Sequence, residues 1–254
     1  MAHISYSELK DWIFCAFYHK LKRIDNKDAD TSNIYTAFGK AIHDVCEKKL
    51  LNEEVGENYF VKEFERYIDE LDGDVDGGMF ADMNQQGPKI LSEIDSSLRE
   101  YFGEYEVVAA ELPLYESIEG HSEYKFKGYI DAIVKTKDGK IHIFDWKTCS
   151  WGWHPRRKSD KMVTYQLTLY KHFYAKKLNL NPEIIETHFA LLKRTAEKNR
   201  VEFFRVSSGP TKTKNALKTL NMALLNIKKK RYIKNKLSCT SGYGCKFYRT
   251  EHCP

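Results

Sequence analysis

The stretch Phe126–Thr148, FKGYIDAIVKTKDGKIHIFDWKT, alternates apolar and polar residues on both sides of a Lys-Asp-Gly turn. Alternation with a period of two predicts two half-buried strands, and the turn residues between them predict a hairpin. This hairpin nevertheless contains Asp131, Asp145 and Lys147 among residues that a sheet would bury. Because charged groups at buried positions are costly unless they are paired or bind a ligand, the hairpin is predicted to form a functional site.

The three charged residues of the hairpin are predicted to lie close together. Residues two apart on a strand share a face, so Asp145 and Lys147 point the same way. A turn at Asp138-Gly139 pairs residues whose numbers sum to about 277, which places Asp131 opposite roughly residue 146. Two carboxylates at close range repel unless a cation lies between them, and Mg²⁺ or Mn²⁺ is the natural cation. Lys147 would then orient or activate a water and offset charge on a phosphate.

The rest of the chain predicts helices first and a sheet afterwards. Apolar residues at helical spacing predict a first helix capped by Ser5 or Ser7, a helix over Ala37–Leu51, a third over 57–72 and a fourth over Lys89–Phe102. The intervening Asp72–Gly78 begins like a calcium loop but lacks the final glutamate, so it is predicted to be a polar break. Strands, a helix, two more strands and a long helix follow. The order predicts an α/β or α+β sandwich with one central mixed sheet.

Three further residues are candidates for the same site. His43, in GKAIH, lies four residues after Gly39 on a predicted helix and could add a nitrogen ligand, with the glycine allowing a close approach to the sheet. Gln166 and Tyr170, in QLTLY, lie one helical turn apart and share a face. Taken alone, a helical histidine is more often a core or surface residue than a ligand, and Tyr170 alone would be interpreted as a core residue. Glu111, on the preceding strand, is assigned a structural role.

The four segments GKAIH, GYIDAI, FDWKT and QLTLY, in this order, resemble the PD-(D/E)XK nuclease superfamily in its RecB-like branch, which includes CRISPR-adaptation nucleases and phage exonucleases. The resemblance runs from about Ser5 to the C-terminus and implies a restriction-endonuclease-like core. It implies that the metal ligands are His43, Asp131 and Asp145, that Lys147 is the catalytic lysine, and that Gln166 and Tyr170 contact phosphate. Glycine, tyrosine and isoleucine precede Asp131 where the superfamily name has proline, and Asp145 replaces the commoner glutamate.

Three of the six cysteines fall in the last sixteen residues, with the spacing C-x5-C-x7-C. The resemblance implies that these three, together with one cysteine after the first helix, hold a [4Fe–4S] cluster; the residues are Cys15, Cys239, Cys245 and Cys253. The spacing is wider than the family's pattern. A Cys₄ zinc site, a Cys₃His site that includes His252, and unligated thiols remain open.

Composition and charge limit the partners. The chain has 254 residues, 42% of them hydrophobic, and a net charge of +5, which permits a polyanionic partner without requiring one. Basic runs lie at His154–Lys161 and Lys228–Lys236. No apolar run is long enough for a membrane helix, and no signal peptide or Walker motif occurs, so we expect a cytoplasmic protein (host cytoplasm if phage-encoded) without a nucleotide cofactor.

These observations predict a single nuclease domain over 1–254, with a helical part at 1–104, a catalytic sheet core at 105–207 and a C-terminal helix and cysteine-rich clasp at 208–254. The predicted activity is that of a Mg²⁺- or Mn²⁺-dependent deoxyribonuclease, an exonuclease that acts on single-stranded DNA ends in phage-type recombination, repair or replication. Arg156 and Arg157 are predicted to bind phosphates of the DNA. A recombination or replication protein is a possible partner. The alternatives are an inactive nucleic-acid-binding module on the same fold and a zinc-stabilised structural protein.

Overall fold

The computed structural model describes residues 2–27, 32–242 and 244–254. The strands are β1 (Ala2–Ser5), β2 (Tyr105–Ile118), β3 (His121–Thr136), β4 (Ile141–Cys149), β5 (Ile185–Lys193) and β6 (Val201–Val206). The helices are α1 (Tyr6–Phe14), α2 (Ala16–His19), α3 (Ile34–Leu50), α4 (Tyr59–Asp69), α5 (Gly77–Leu91), α6 (Ile94–Phe102), α7 (Pro155–Ser159), α8 (Lys161–Leu178) and α9 (Pro210–Lys228). A π-helical turn, Lys20–Ile24, follows α2, and 3₁₀ turns lie at Pro182–Ile184 and Lys236–Cys239.

The chain divides into two compact units. The smaller contains Met1–Thr31, Leu114–Gly128 and Gly209–Pro254, and the larger contains Ser32–Pro113 and Tyr129–Ser208. All predicted nuclease-site residues fall in the larger unit, and the four candidate cluster cysteines fall in the smaller one. Within the described residues, no helix has the length and apolar character needed to cross a membrane.

The larger unit is built on a mixed sheet. β3 pairs with β4 in antiparallel fashion, β4 pairs with β5 in parallel, and β5 pairs with β6 in antiparallel fashion. A parallel pair needs a long crossover, and α8 lies in the connection between β4 and β5. The predicted mixed α/β fold, with a central mixed sheet flanked by helices, is therefore confirmed.

The β3–β4 hairpin differs by one residue from the predicted register. Ala132 pairs with Phe144 and Lys135 with Ile141, so paired numbers sum to 276. The loop contains three residues instead of two, because the Thr136 N–H bonds the Lys140 carbonyl at 3.0 Å. Gly139 takes a φ of +82°, the left-handed conformation that closes such a loop and that glycine adopts without steric cost.

The predicted single helix over Lys89–Phe102 is wrong, because two helices, α5 and α6, cover 77–102. The predicted break at Asp72–Gly78 ends before Gly77, where α5 begins. The Asp76 carboxylate accepts the Met79 N–H at 2.7 Å, a helix cap that offsets the unfavourable glycines that follow. Gly87 also belongs to α5: a Cβ there would lie 2.2 Å from the Phe60 ring, so only glycine lets the two helices pack.

Aromatic side chains form much of the core of the larger unit. Phe38 of α3 packs edge-on against Phe60 and Phe64 of α4, with ring centroids 5.6 Å apart in both pairs. On the sheet, Phe144 and Trp146 contact each other edge-to-face with centroids 4.9 Å apart. Each such fully buried side chain contributes about 1.5–3 kcal/mol to stability. This layer holds α3 over the sheet and thereby fixes the position of His43.

In the smaller unit, β1 is a strand that the sequence analysis did not predict. It pairs in parallel with the first part of β3, with Ile4 opposite Phe126. Ser5 then caps α1 by accepting the Glu8 N–H at 3.2 Å, as one of the two predicted caps. Cys15 is extended, with φ −164°, and ends the helix.

Candidate active site

Asp131 lies where the two strands of the hairpin stop pairing. The β3–β4 ladder ends at Ala132 and Phe144. Beyond it, Asp131 Oδ2 accepts the Trp146 backbone N–H at 2.8 Å, so a side chain takes the place of a strand partner. The carboxylate is held rigidly beside β4, because its position is fixed by a backbone donor.

Asp145 and Lys147 point to the same face of β4, as predicted from their spacing. Asp145 is only 1% exposed, and its Oδ2 is in direct contact with the Lys147 ammonium. Its Oδ1 accepts a hydrogen bond from Gln166 Nε2 at 2.6 Å. The same Gln166 nitrogen lies 3.3 Å from the Tyr170 hydroxyl, one turn along α8. Gln166 therefore holds the Asp145 carboxylate in place, a contact that the sequence did not reveal.

His43 and Glu111 complete the cluster around Asp131. One ligand atom from each of His43, Glu111 and Asp131 lies within 4.8 Å of the other two. His43 Nδ1 is 3.5 Å from Asp131 Oδ2. A Cβ at Gly39 would lie 3.4 Å from Thr148 Oγ1, which is an ordinary contact. The sequence predicts that α3 needs glycine here to approach the sheet, but the structure has room for a Cβ atom.

Glu111, for which the sequence predicts a structural role, has its carboxylate in this cluster. Glu111 has a φ of +47°, a conformation that is unusual for any residue except glycine and that redirects a side chain within a strand. The available signal was a lone carboxylate in the apolar run VVAAELPL. A backbone kink at that residue cannot be read from alternation alone.

Burial and mutual repulsion disturb the ionisation of the carboxylates. Burial raises the pKa of Asp145 to about 6, and repulsion from Asp131 adds to this effect while Lys147 opposes it. Burial likewise raises the pKa of Asp131 to about 6 against the attraction of Lys147. For Glu111, burial followed by repulsion from Asp131 raises the pKa to about 7. Three carboxyl groups in this small volume resist ionising together.

The pKa values of the two basic groups of the site, His43 and Lys147, are shifted in opposite directions. Burial lowers the pKa of His43 to about 4, and the positive charge of Lys147 lowers it further, so the imidazole is neutral with a free electron pair. Burial alone would lower the pKa of Lys147, but the attraction of Asp145 and Asp131 outweighs it and the pKa is raised. Lys147 is therefore an ammonium ion at neutral pH.

This donor set fits a hard divalent cation. Three carboxylates that repel one another become stable when a cation binds between them, and carboxylate oxygens are the ligands that Mg²⁺ and Mn²⁺ prefer. A neutral imidazole adds a nitrogen donor that Mn²⁺ tolerates. His43, Glu111 and Asp131 are the residues whose ligand atoms converge and that would hold the ion, and Asp145 lies near enough to repel the other carboxylates.

The two predicted phosphate-gripping arginines lie on α7, after β4. Arg157 stacks over the Trp153 ring, 4.7 Å from its centroid, and the neighbouring Lys158 pairs with Glu202. Arg156 is exposed. Arg157 is exposed as well, so both arginines are accessible at this surface, although the Arg157 guanidinium is stacked on an aromatic ring.

In the smaller unit, Cys15, Cys239, Cys245 and Cys253 line one cavity of about 470 Å³. All four are free thiols. Cys15 Sγ accepts the Asn235 backbone N–H at 3.2 Å, and the backbone at Phe247 and Tyr248 bonds to Cys245. Burial raises the pKa of Cys245, and the backbone hydrogen bonds from Phe247 and Tyr248 oppose that rise.

The mixed sheet thus gathers carboxylates, a histidine and a lysine at the point where two strands separate. The family model of the PD-(D/E)XK nuclease superfamily matches residues 3–253. The chain therefore belongs to the PD-(D/E)XK nuclease superfamily, and membership supports a metal-dependent nuclease.

Solved structures with the same fold include a protein of Eubacterium rectale that is provisionally named an exonuclease. It is 15% identical, the match covers 100% of this chain and 90% of that one, and the TM-score is 0.61. The structure of SSO0001 is 12% identical over 95% of this chain and 93% of that one, with a TM-score of 0.38. Comparison with curated protein sequences gives no match. The first structure supports the fold.

Proposed function

We propose that this protein is a Mg²⁺- or Mn²⁺-dependent deoxyribonuclease that degrades single-stranded DNA from its ends, in phage-type recombination, repair or replication. The observation that carries the proposal is the group His43, Glu111 and Asp131 within 4.8 Å, beside a buried Asp145 in contact with Lys147. The preference for ends and for single strands rests on the resemblance to the RecB-like branch. An inactive nucleic-acid-binding module on the same fold would be expected to have lost one of these groups.

The bound cation would polarise a phosphate oxygen and lower the pKa of a bound water. Lys147 is protonated, so it donates hydrogen bonds and offsets the charge that develops on the phosphate, and it does not act as a base. Gln166 keeps Asp145 in position, and the Tyr170 hydroxyl accepts a second hydrogen bond from the same Gln166 nitrogen. Arg156 and Arg157 are proposed to contact the backbone of the strand.

The decisive experiment measures cleavage of end-labelled single- and double-stranded DNA with Mg²⁺ or Mn²⁺. Wild type is compared with Asp145→Asn and Lys147→Gln. The matched controls are Asp95→Asn and Lys62→Gln, which change residues outside the cluster. Metal-dependent cleavage that is lost only in the first pair supports the proposal, and successive shortening from a labelled end separates exonuclease from endonuclease action. Folded wild type that binds DNA but never cleaves it would indicate the inactive binding module instead.

We also propose that the four cysteines hold a [4Fe–4S] cluster. Protein purified without oxygen should contain about four iron and four sulfide per chain. Cys239→Ser should lose both, whereas Cys149→Ser, a matched thiol outside the set, should keep them. One zinc per chain without sulfide would identify the site as the zinc alternative.

A further inference from the structure

A second polar cluster lies on the opposite face of β4 from Asp145. In the parallel pairing of β4 with β5, His142 is opposite Glu186, and His188 is two residues further along β5. Paired residues and residues two apart share a face, so these three side chains converge. One ligand atom from each lies within 4.8 Å of the other two. An odd spacing separates His142 from Asp145, which places the two clusters on opposite faces.

The hydrogen bonds of His142 fix its tautomer and direct its Nδ1 toward His188. Thr136 donates its hydroxyl proton to the Asp138 carboxylate. A hydroxyl has one proton, so Thr136 must accept from His142 Nε2, which lies 3.0 Å away. A neutral imidazole that is protonated at Nε2 has an electron pair at Nδ1. His142 Nδ1 faces His188 Nε2 at 3.0 Å.

His188 can present an electron pair to the same point. Its Nδ1 lies 3.1 Å from the Tyr101 hydroxyl, which can either donate or accept a hydrogen bond. With Nδ1 protonated toward Tyr101, Nε2 of His188 is unprotonated. Without a metal, Nε2 of His188 instead carries the proton and donates to His142 Nδ1 at 3.0 Å, so metal binding requires that proton to move to Nδ1, where the Tyr101 hydroxyl accepts its hydrogen bond. Outer partners that fix the ring orientation in this way are typical of metal-binding histidines.

Glu186 directs one carboxylate oxygen toward the two histidines, and its other oxygen forms ion pairs with a lysine and an arginine. Its Oε1 lies 3.3 Å from Lys140 Nζ and 3.2 Å from Arg205. Its Oε2 lies 3.9 Å from His142 Nδ1. The carboxylate is therefore already oriented, with its second oxygen toward the imidazoles. Each of the three candidate ligands has an outer partner that fixes it.

The cluster opens onto a cavity of about 530 Å³. The charged residues that line it are three carboxylates and three cations, which balance: Glu104, Asp138 and Glu186 against Lys137, Lys140 and Arg205. An entering cation thus meets no net positive charge. The cavity leaves room for water as a fourth ligand.

We propose that His142, His188 and Glu186 bind a first-row transition-metal ion, with Zn²⁺ as the best match, at a site distinct from the nuclease centre. In a tetrahedral zinc site with bonds of about 2.1 Å, neighbouring ligand atoms lie roughly 3.4 Å apart, close to the separation of the two nitrogens. Imidazole favours zinc, nickel and copper, whereas the carboxylate cluster on the other face favours Mg²⁺ and Mn²⁺. The two faces of β4 would then contribute to two metal sites with different preferences, one for zinc and one for Mg²⁺ or Mn²⁺.

The test compares metal binding by wild type, His188→Gln and Glu186→Gln, with His121→Gln as a matched histidine control in a different part of the chain. Zn²⁺ is titrated calorimetrically into protein whose cysteine site is already loaded. Co²⁺ is used as an optical probe, because thiolate ligation produces strong charge-transfer bands that imidazole and carboxylate ligation do not. Asp145→Asn is included to separate the two faces.

We expect wild type and His121→Gln to bind one more Zn²⁺ per chain than His188→Gln, and we expect Asp145→Asn to keep the Zn²⁺ ion that His188→Gln loses. Glu186→Gln, which preserves shape, should bind that ion about 10–100-fold more weakly. The difference between the Co²⁺ spectra of wild type and His188→Gln should contain no thiolate charge-transfer bands. Equal stoichiometry and affinity in wild type, His188→Gln and Glu186→Gln would overturn the proposal. If His188→Gln does not fold, unchanged Zn²⁺ affinity of Glu186→Gln overturns it alone.

Discussion

The two faces of β4 differ in how their polar groups are satisfied. On one face, Asp145, Asp131 and Glu111 crowd together, and all three carboxyl groups have raised pKa values. On the other face, His142 and His188 belong to a chain of hydrogen bonds from Asp138 to Tyr101. The repulsion on the carboxylate face is relieved by a bound proton or a cation, whereas the polar groups of the histidine face are satisfied by their own hydrogen bonds. The difference shows that His142 and Asp145, which lie on opposite faces of the same strand, have environments of different chemistry.

The largest expected effect tests the carboxylate face directly. Asp145→Asn should lower metal-dependent cleavage by on the order of 10³-fold, because under the proposal it removes a charge that helps to hold the cation. Initial rates on end-labelled DNA at saturating Mn²⁺ measure this loss. Asp95→Asn serves as the control. Activity within tenfold of wild type would show that Asp145 is not a ligand.

Lys147→Gln should reduce the cleavage rate by about 10²–10³-fold, since it removes an ammonium ion aimed at the developing charge. Binding of Mn²⁺ should be retained, because the carboxylates remain. Titration of Mn²⁺ by electron paramagnetic resonance checks that binding, and Lys62→Gln is the control for charge. Loss of Mn²⁺ binding together with activity would assign Lys147 a purely structural role.

Glu111→Gln sharpens the comparison through pH. The folded protein holds a proton on Glu111 up to about pH 7, whereas the unfolded chain releases it near 4.5. Without metal, the free energy of unfolding of wild type should therefore fall relative to Glu111→Gln as pH rises from 4.5 to 7, by roughly 1–3 kcal/mol. Urea unfolding in a chelator at several pH values measures the difference. Parallel pH profiles would contradict the proposed cluster, and Glu54→Gln controls for surface charge.

The smallest effect on activity belongs to the histidine face. His142→Gln should leave cleavage within about twofold of wild type, because no group of the nuclease site contacts that ring within the described residues. It should nevertheless lower the free energy of unfolding by about 1–2 kcal/mol, since His188 loses a buried hydrogen-bond partner. Cleavage assays and urea unfolding of the same sample separate the two outcomes. A large loss of activity would mean that the two faces are coupled.

The sequence predicted those parts of the molecule that local chemistry fixes. Alternation gave the hairpin, and spacing gave the shared face of Asp145 and Lys147, because side chains on a strand repeat every two residues. The order of four short segments gave the superfamily, which the match over residues 3–253 confirmed. The assigned roles of the individual site residues and of the cysteines stay predictions.

The tertiary structure decided what depends on distant contacts. The loop of three residues shifted the hairpin register by one, and a kink at Glu111 brought that carboxylate to Asp131. Gln166 turned toward Asp145 because α8 packs against β4, and two histidines met because β5 pairs in parallel with β4. Composition and periodicity describe which face a residue occupies, but pairing register and helix packing determine its neighbours. Those neighbours set the pKa values and hence the chemistry of the site.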